Sequence, residues 1–275
     1  MRLITAVLAC LLLAMPHAVL AAPEAELWPR WEAHDPASAV TVDHTLWDRW
    51  LRQHVAAGDD GINRVAYRTV DGANKDALDS YIAALGAVRV TALNRDEQRA
   101  FWINLYNAGT VQVVLDHYPV ASIRDIDISP GLFADGPWGK KLFPVENEML
   151  SLDDIEHRIL RPIWRDPRIH YAVNCASIGC PNLIREAFTA VNTDDLLTRA
   201  ARAYVNHPRG ARIENGELIV SSIYEWFQAD FGGSDAGVIA HLREFAGDEL
   251  ATALEGATRI ADDGYDWSLN DTARR

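Results

Sequence analysis

Two cysteines, Cys175 and Cys180, carry the most chemistry in this chain. They lie in Asn174-Cys175-Ala176-Ser177-Ile178-Gly179-Cys180-Pro181, a loop that opens on an amide and closes on a proline. A pair at this spacing has four possible uses. Oxidised, it is a clasp around a six-residue loop, which adds about 2 kcal/mol on the chain-entropy account. Reduced, it is a dithiol for disulfide exchange. Cys175 alone could be a nucleophile. Two thiolates could also hold a metal, but that needs further ligands. His157 and His170 are the only candidates nearby, and the spacing matches no common zinc pattern, so no metal site is expected. The same spacing recurs in flavin-dependent disulfide reductases. No dinucleotide-binding glycine motif accompanies it here, and no cofactor is expected.

A nucleophilic Cys175 needs a base. His170 precedes it by five residues, yet Ile169 to Asn174 reads as an apolar strand, and positions five apart on a strand face opposite ways. That leaves His157 as the candidate base, with Asn104 or Asn107 orienting it or stabilising an oxyanion. Asn104 and Asn107 are one turn apart on a helix that is apolar nearly all round. Their alternative role is to clamp a neighbouring loop's backbone, because an unpartnered buried amide costs about 1–3 kcal/mol. Glu156, His170, Asn174 and Ser177 are the candidate binding residues around the pair.

The elements that must position these groups can be read in order. Asp43 caps a helix carrying Trp47, Trp50, Leu51 and Val55 at helical spacing, stopped at Gly58-Asp59-Asp60-Gly61. A second helix spans about 74–85. Asn94 caps a third that runs to about His117, with Asp96 and Glu97 in its first turn. Residues 120–147 are a long connection with a strand-like piece at 141–145 and could help form a site. Ser151 caps a fourth helix to about Leu160, with Glu156 and His157 flanking its buried stripe. A helix at 193–206 leads to a hairpin over 212–220 with Asn215-Gly216 at its turn, and further helices fit 222–231 and 236–245.

The N-terminus has the form of a secretory signal. Arg2 is followed by an apolar core from Ile4 to Leu13 and by small residues before position 22. Cys10 lies inside that core, where a lipid-attachment cysteine would not. The expected organisation is a signal at 1–22, a loosely ordered lead-in at 23–42 and one domain at 43–270, periplasmic or secreted. No later run is long and apolar enough to span a membrane. The 275 residues hold 39 acidic against 26 basic side chains, a net charge of −13, which argues against nucleic acid as a partner. Nine tryptophans supply ample material for a core.

Several segments together resemble the DUF547 family. They are Ala100-Phe101-Trp102-Ile103-Asn104-Leu105-Tyr106-Asn107-Ala108, Asp154 to Pro162, Asp166 to Leu183, Tyr224-Glu225-Trp226-Phe227 with Asp230-Phe231, and Tyr265 to Asn270. The likeness runs from about Trp47 to Asn270. It implies a single, often exported domain and singles out Asn104, Asn107, Glu156, His157, His170, Cys175, Ser177 and Cys180, but supplies no reaction. Gly179 stands where a larger or polar residue is expected, which would loosen the loop. The expected fold is a helix-rich α+β domain with a small sheet and one β-hairpin. The leading functional expectation is a binding or accessory module of the cell envelope with a Cys175–Cys180 disulfide, acting on a small molecule or an envelope protein. The alternatives are a hydrolase or acyl transferase using Cys175 and His157, and a thiol–disulfide exchange protein.

Overall fold

A computed structural model of the chain describes residues 23–131 and 135–273; the signal-like segment and Cys10 lie outside them. The architecture is α+β and helix-rich. Its centre is α3, Arg95–His117, which starts where Asn94 accepts a hydrogen bond from the Glu97 N–H. From Ala100 to Val111 every residue of α3 is buried, as its all-round apolar sequence demands. Two helices precede it. The first, α1 (Thr45–His54), buries Trp47, Trp50 and Leu51, and Asp43 accepts from the Thr45 N–H at its start. The second, α2 (Gly72–Gly86), is capped by Asp71.

Three antiparallel pairs replace the single expected hairpin: β1 (Val55–Ala57) with β2 (Asn63–Val65), β3 (Phe143–Val145) with β4 (Glu148–Leu150), and β5 (Ala211–Glu214) with β6 (Glu217–Ser221). The last is the hairpin that Asn215-Gly216 marks, and both turn residues adopt positive φ. A parallel strand, β7 (Asp262–Gly264), extends it.

Residues 23–42 hold little regular structure but are tied down. Trp31 is buried against Trp102, and the Glu26 and Trp28 N–H groups donate to the carbonyls of His157 and Arg158. Those carbonyls belong to a π-helical segment, Asp154–Leu160, which continues as α4, Arg161–Trp164. Its i→i+5 bonding widens the turn. Glu156 and His157, expected to flank the buried stripe, are both buried as a result.

The expected strand at 169–174 is a 3₁₀ helix over Pro167–Tyr171 instead. Asp166 accepts from the Arg168 N–H and Pro167 takes the first helical position, a start signal that outweighs a short apolar run. The parity argument about His170 therefore has no strand to rest on. Beyond the cysteine loop come α5 (Thr193–Val205), α6 (Ile223–Trp226), α7 (Asp235–Phe245) and α8 (Asp248–Ala253). With β5–β7 they enclose a second apolar cluster around Tyr171, Tyr204, Tyr224 and Leu242, beside the larger one around α3. No helix among the described residues is long and apolar enough to cross a membrane.

Candidate active site

The cysteine loop is held from both sides. On one side, Asn107 of α3 donates from Nδ2 to the Ala172 carbonyl at 2.8 Å and accepts from the Asn174 N–H at 2.8 Å. Asn104 does the same for Phe188, donating to its carbonyl at 2.8 Å and accepting from its N–H at 3.1 Å. Both amides are thus clamps with their bonds spent on backbone. Asn174 closes the loop on itself, donating to the Pro181 carbonyl at 2.7 Å and accepting from the Ala176 N–H at 3.0 Å. Ala176 sits at φ 59°, a left-handed conformation that a non-glycine residue adopts at a cost.

On the other side runs the segment after β7. The N–H groups of Ile178 and Gly179 donate to the Ser268 and Asp266 carbonyls, each at 2.8 Å, and Asn270 N–H donates to Ala176. Gly179 does not loosen this loop. A Cβ there would lie 2.8 Å from the Asp266 nitrogen and 2.9 Å from the Tyr265 ring, so its missing side chain lets the two segments close.

That closure delivers Tyr265 to Cys175. The tyrosine hydroxyl is 3.0 Å from Cys175 Sγ, and the Ser177 hydroxyl lies 3.0 Å from the Tyr265 oxygen and 3.2 Å from the same sulfur. Cys175 N–H donates to Cys180 Sγ at 3.0 Å. Both cysteines are free thiols in the structure, Cys175 half-buried and Cys180 buried.

Their acidities diverge. The Cys175 thiol is lowered to about 7, chiefly by a hydrogen bond from the Cys180 thiol that burial opposes, with Ser177 and Tyr265 adding donors. Cys180 is pushed well above the ordinary thiol range, first by burial and then by the neighbouring Cys175 charge. Burial likewise raises Tyr265, which keeps its proton and remains a donor.

His157 and His170 face elsewhere. The Arg161 guanidinium donates to His157 Nδ1 at 3.0 Å, and burial holds that imidazole neutral. His170 stacks on Phe227 with centroids 4.4 Å apart and bonds Asp230 through Nε2 at 2.7 Å. Asp230 also takes Arg161 Nε at 2.6 Å, which with His170 draws its carboxyl down to about 2 despite burial. Among the described residues, the side-chain partners of Cys175 are Cys180, Ser177 and Tyr265, and no histidine is one of them.

Glu156 links the two groups. It lies 3.8 Å from His170 Nδ1; burial above all raises its carboxyl to about 7, against the lowering influence of Tyr106 and Arg161. Among the described residues no three His, Cys, Asp or Glu side chains are grouped as a metal site requires.

Sequence reasoning singled out Cys175, Cys180 and Ser177, which do meet, but it missed Tyr265, Tyr106, Arg161 and Asp230 as partners. Tyr265 is 90 residues from Cys175, and only its place in a recurring motif could have flagged it. It is part of a half-exposed aromatic cluster with Trp226 and Trp267, centroids 4.9 and 4.7 Å away, and Trp138 packs on Trp267.

This arrangement, a paired-cysteine loop clamped to a buried helix, lies within a segment that matches a family model. Residues 90–205 match the DUF547 family, described as a protein of unknown function, in agreement with the motifs quoted above. The match takes in Asn104, Asn107 and both cysteines, while Tyr265 lies beyond it. No curated protein and no solved structure matches the chain.

Proposed function

We propose that this protein is an exported thiol–disulfide exchange protein whose Cys175 attacks and whose Cys180 resolves. One observation carries the reading: two free thiols share one clamped loop, the half-exposed Cys175 sulfur within 3.0–3.2 Å of the Tyr265 and Ser177 hydroxyls and the buried Cys180 sulfur 3.0 Å from the Cys175 N–H. A purely structural clasp needs no set of donors aimed at one sulfur. A hydrolase needs a base, and His157 and His170 are spent on Arg161 and Asp230.

The chemistry balances within the pair and its substrate. The Cys175 thiolate attacks one sulfur of a polypeptide disulfide. A Cys175–substrate S–S bond forms, and the substrate's own S–S bond breaks, releasing a thiolate that takes up a proton. Cys180 then loses its proton and attacks Cys175 Sγ. The internal disulfide forms and the second substrate thiolate departs. The substrate gains two electrons and two protons, and the protein dithiol loses them. The Cys175 N–H points at the Cys180 sulfur, so this donor can hold the second thiolate once Cys175 is neutral. The direction of net transfer follows the partner's potential. The aromatic cluster beside Tyr265 offers apolar surface for a polypeptide chain.

The test traps the intermediate. Cys180→Ser mixed with a disulfide-bonded peptide should hold a mixed disulfide at Cys175 by intact mass, whereas the wild type should release it and form its internal bond. Failure of the variant to form an adduct would overturn the proposal. So would a Cys175–Cys180 bond that millimolar reduced glutathione cannot open, which would make the pair a structural clasp in an envelope binding module.

A further inference from the structure

Beside the cysteine loop, between α1, the stretch after Pro181 and α5, lies a cavity of about 320 Å³, at the small end of the range for ligand pockets. Its lining brings together Arg52, Arg185, Arg199 and Arg209 with a single acidic residue, Glu186. The chain as a whole carries more acid than base, so this concentration runs against its composition. Four guanidinium groups sharing one wall repel one another unless something compensates them.

The compensation present is partial. Arg52 pairs with Asp48, and Arg199 with Glu186 and Asp195. Among the described residues Arg185 and Arg209 form no ion pair. Arg209 donates to two neutral acceptors, the Ile178 carbonyl at 2.7 Å and Asn182 Oδ1 at 2.6 Å, and its buried Nε has no partner at all. A largely buried guanidinium without a counter-charge is costly, and burial accordingly lowers its basicity. Those two bonds also fix its orientation in advance of any ligand. The remaining wall combines the polar Asn63 and Asn182 with an apolar part formed by Ile184, Leu196 and Ala203.

We propose that this cavity is a binding site for a small organic oxyanion, its charged head met by Arg185 and Arg209 and its apolar body lying on Ile184, Leu196 and Ala203. Guanidinium forks fit carboxylate and phosphate heads alike, and the apolar wall sets the requirement for a hydrocarbon part. Arg209 touches the cysteine loop through the Ile178 carbonyl, but binding in the cavity requires no reaction at either thiol.

Calorimetric titration with sodium octanoate, octan-1-ol and inorganic phosphate at constant ionic strength tests it. Octanoate should bind once per chain, at least tenfold more tightly than either the neutral alcohol or phosphate. Arg185 is exposed, so Arg185→Glu should fold normally and weaken octanoate at least tenfold; Ala203→Phe, which fills the apolar side, should weaken it as well. No octanoate binding at millimolar concentration would overturn the proposal. So would equal affinity for octanol or phosphate, or unchanged affinity in both variants.

Discussion

At the scale of single residues, the acidity of Cys175 rests on donors that can be removed one at a time. A hydrogen bond to a charged group is worth about 1.5–3 kcal/mol, and one pKa unit corresponds to 1.36 kcal/mol. Tyr265→Phe should therefore raise the Cys175 pKa by about one to two units, read from the pH dependence of iodoacetamide labelling. Cys180→Ala should raise it too, because the neighbouring Cys180 thiol is the largest influence lowering it. His157→Ala should leave the labelling profile where it was, since that imidazole bonds Arg161. A shift with His157→Ala as large as with Tyr265→Phe would restore a cysteine–histidine dyad. The thiols were legible in the sequence because cysteine is rare here and the loop is local. Tyr265 was not, because a contact across 90 residues leaves no trace in spacing.

At the scale of elements, the loop is a joint between α3 and the segment after β7. Replacing Asn107 with Leu leaves the Ala172 carbonyl and the Asn174 N–H without partners, at about 1–3 kcal/mol per buried group. Urea unfolding should report a loss of about 2–6 kcal/mol, and Asn104→Leu a similar one through Phe188. An unchanged midpoint would mean that water replaces the clamp. Gly179→Ala forces the joint open and should cost about 1–3 kcal/mol while raising the Cys175 pKa, because Tyr265 is what it displaces. The cap at Asn94 and the Asn-Gly hairpin follow from local chemistry, which explains why they could be read; the Asp71 cap was not read, and at α1 Asp43 stands one residue before the cap position, accepting from the Thr45 N–H. The π-helical segment could not be read, because an α-period places Glu156 and His157 beside the stripe, and only the wider turn buries both.

At the scale of the whole molecule, several buried titratable groups give stability a pH signature. Burial raises Glu156 from 4.5 to about 7, so between those values the folded chain binds a proton that the unfolded chain has lost. Its contribution is full below pH 4.5 and is lost as pH rises through 7, by about 3 kcal/mol. His44 and His241 act oppositely. Burial lowers both to about 4, so stability falls as pH drops from 6.5 towards 4. The Glu156 part is isolated by difference. Relative to Glu156→Gln, the wild type should lose about 3 kcal/mol between pH 4.5 and 8 in urea melts, and a flat difference would show that the carboxyl is solvated. The α+β class was legible from helical periods and one turn motif, whereas the division of the core into two apolar clusters is a property of packing that no single stretch encodes.

The segment after β7 also sets a timetable. Ile178 and Gly179 wait on Ser268 and Asp266, and Cys175 waits on Tyr265, so the loop is completed by a segment that lies 90 residues further along the chain. Until that stretch arrives, Cys175 lacks the Tyr265 donor and is a more ordinary, slower thiol. A partly folded chain whose later segment has not yet docked therefore carries its cysteine pair in a muted form.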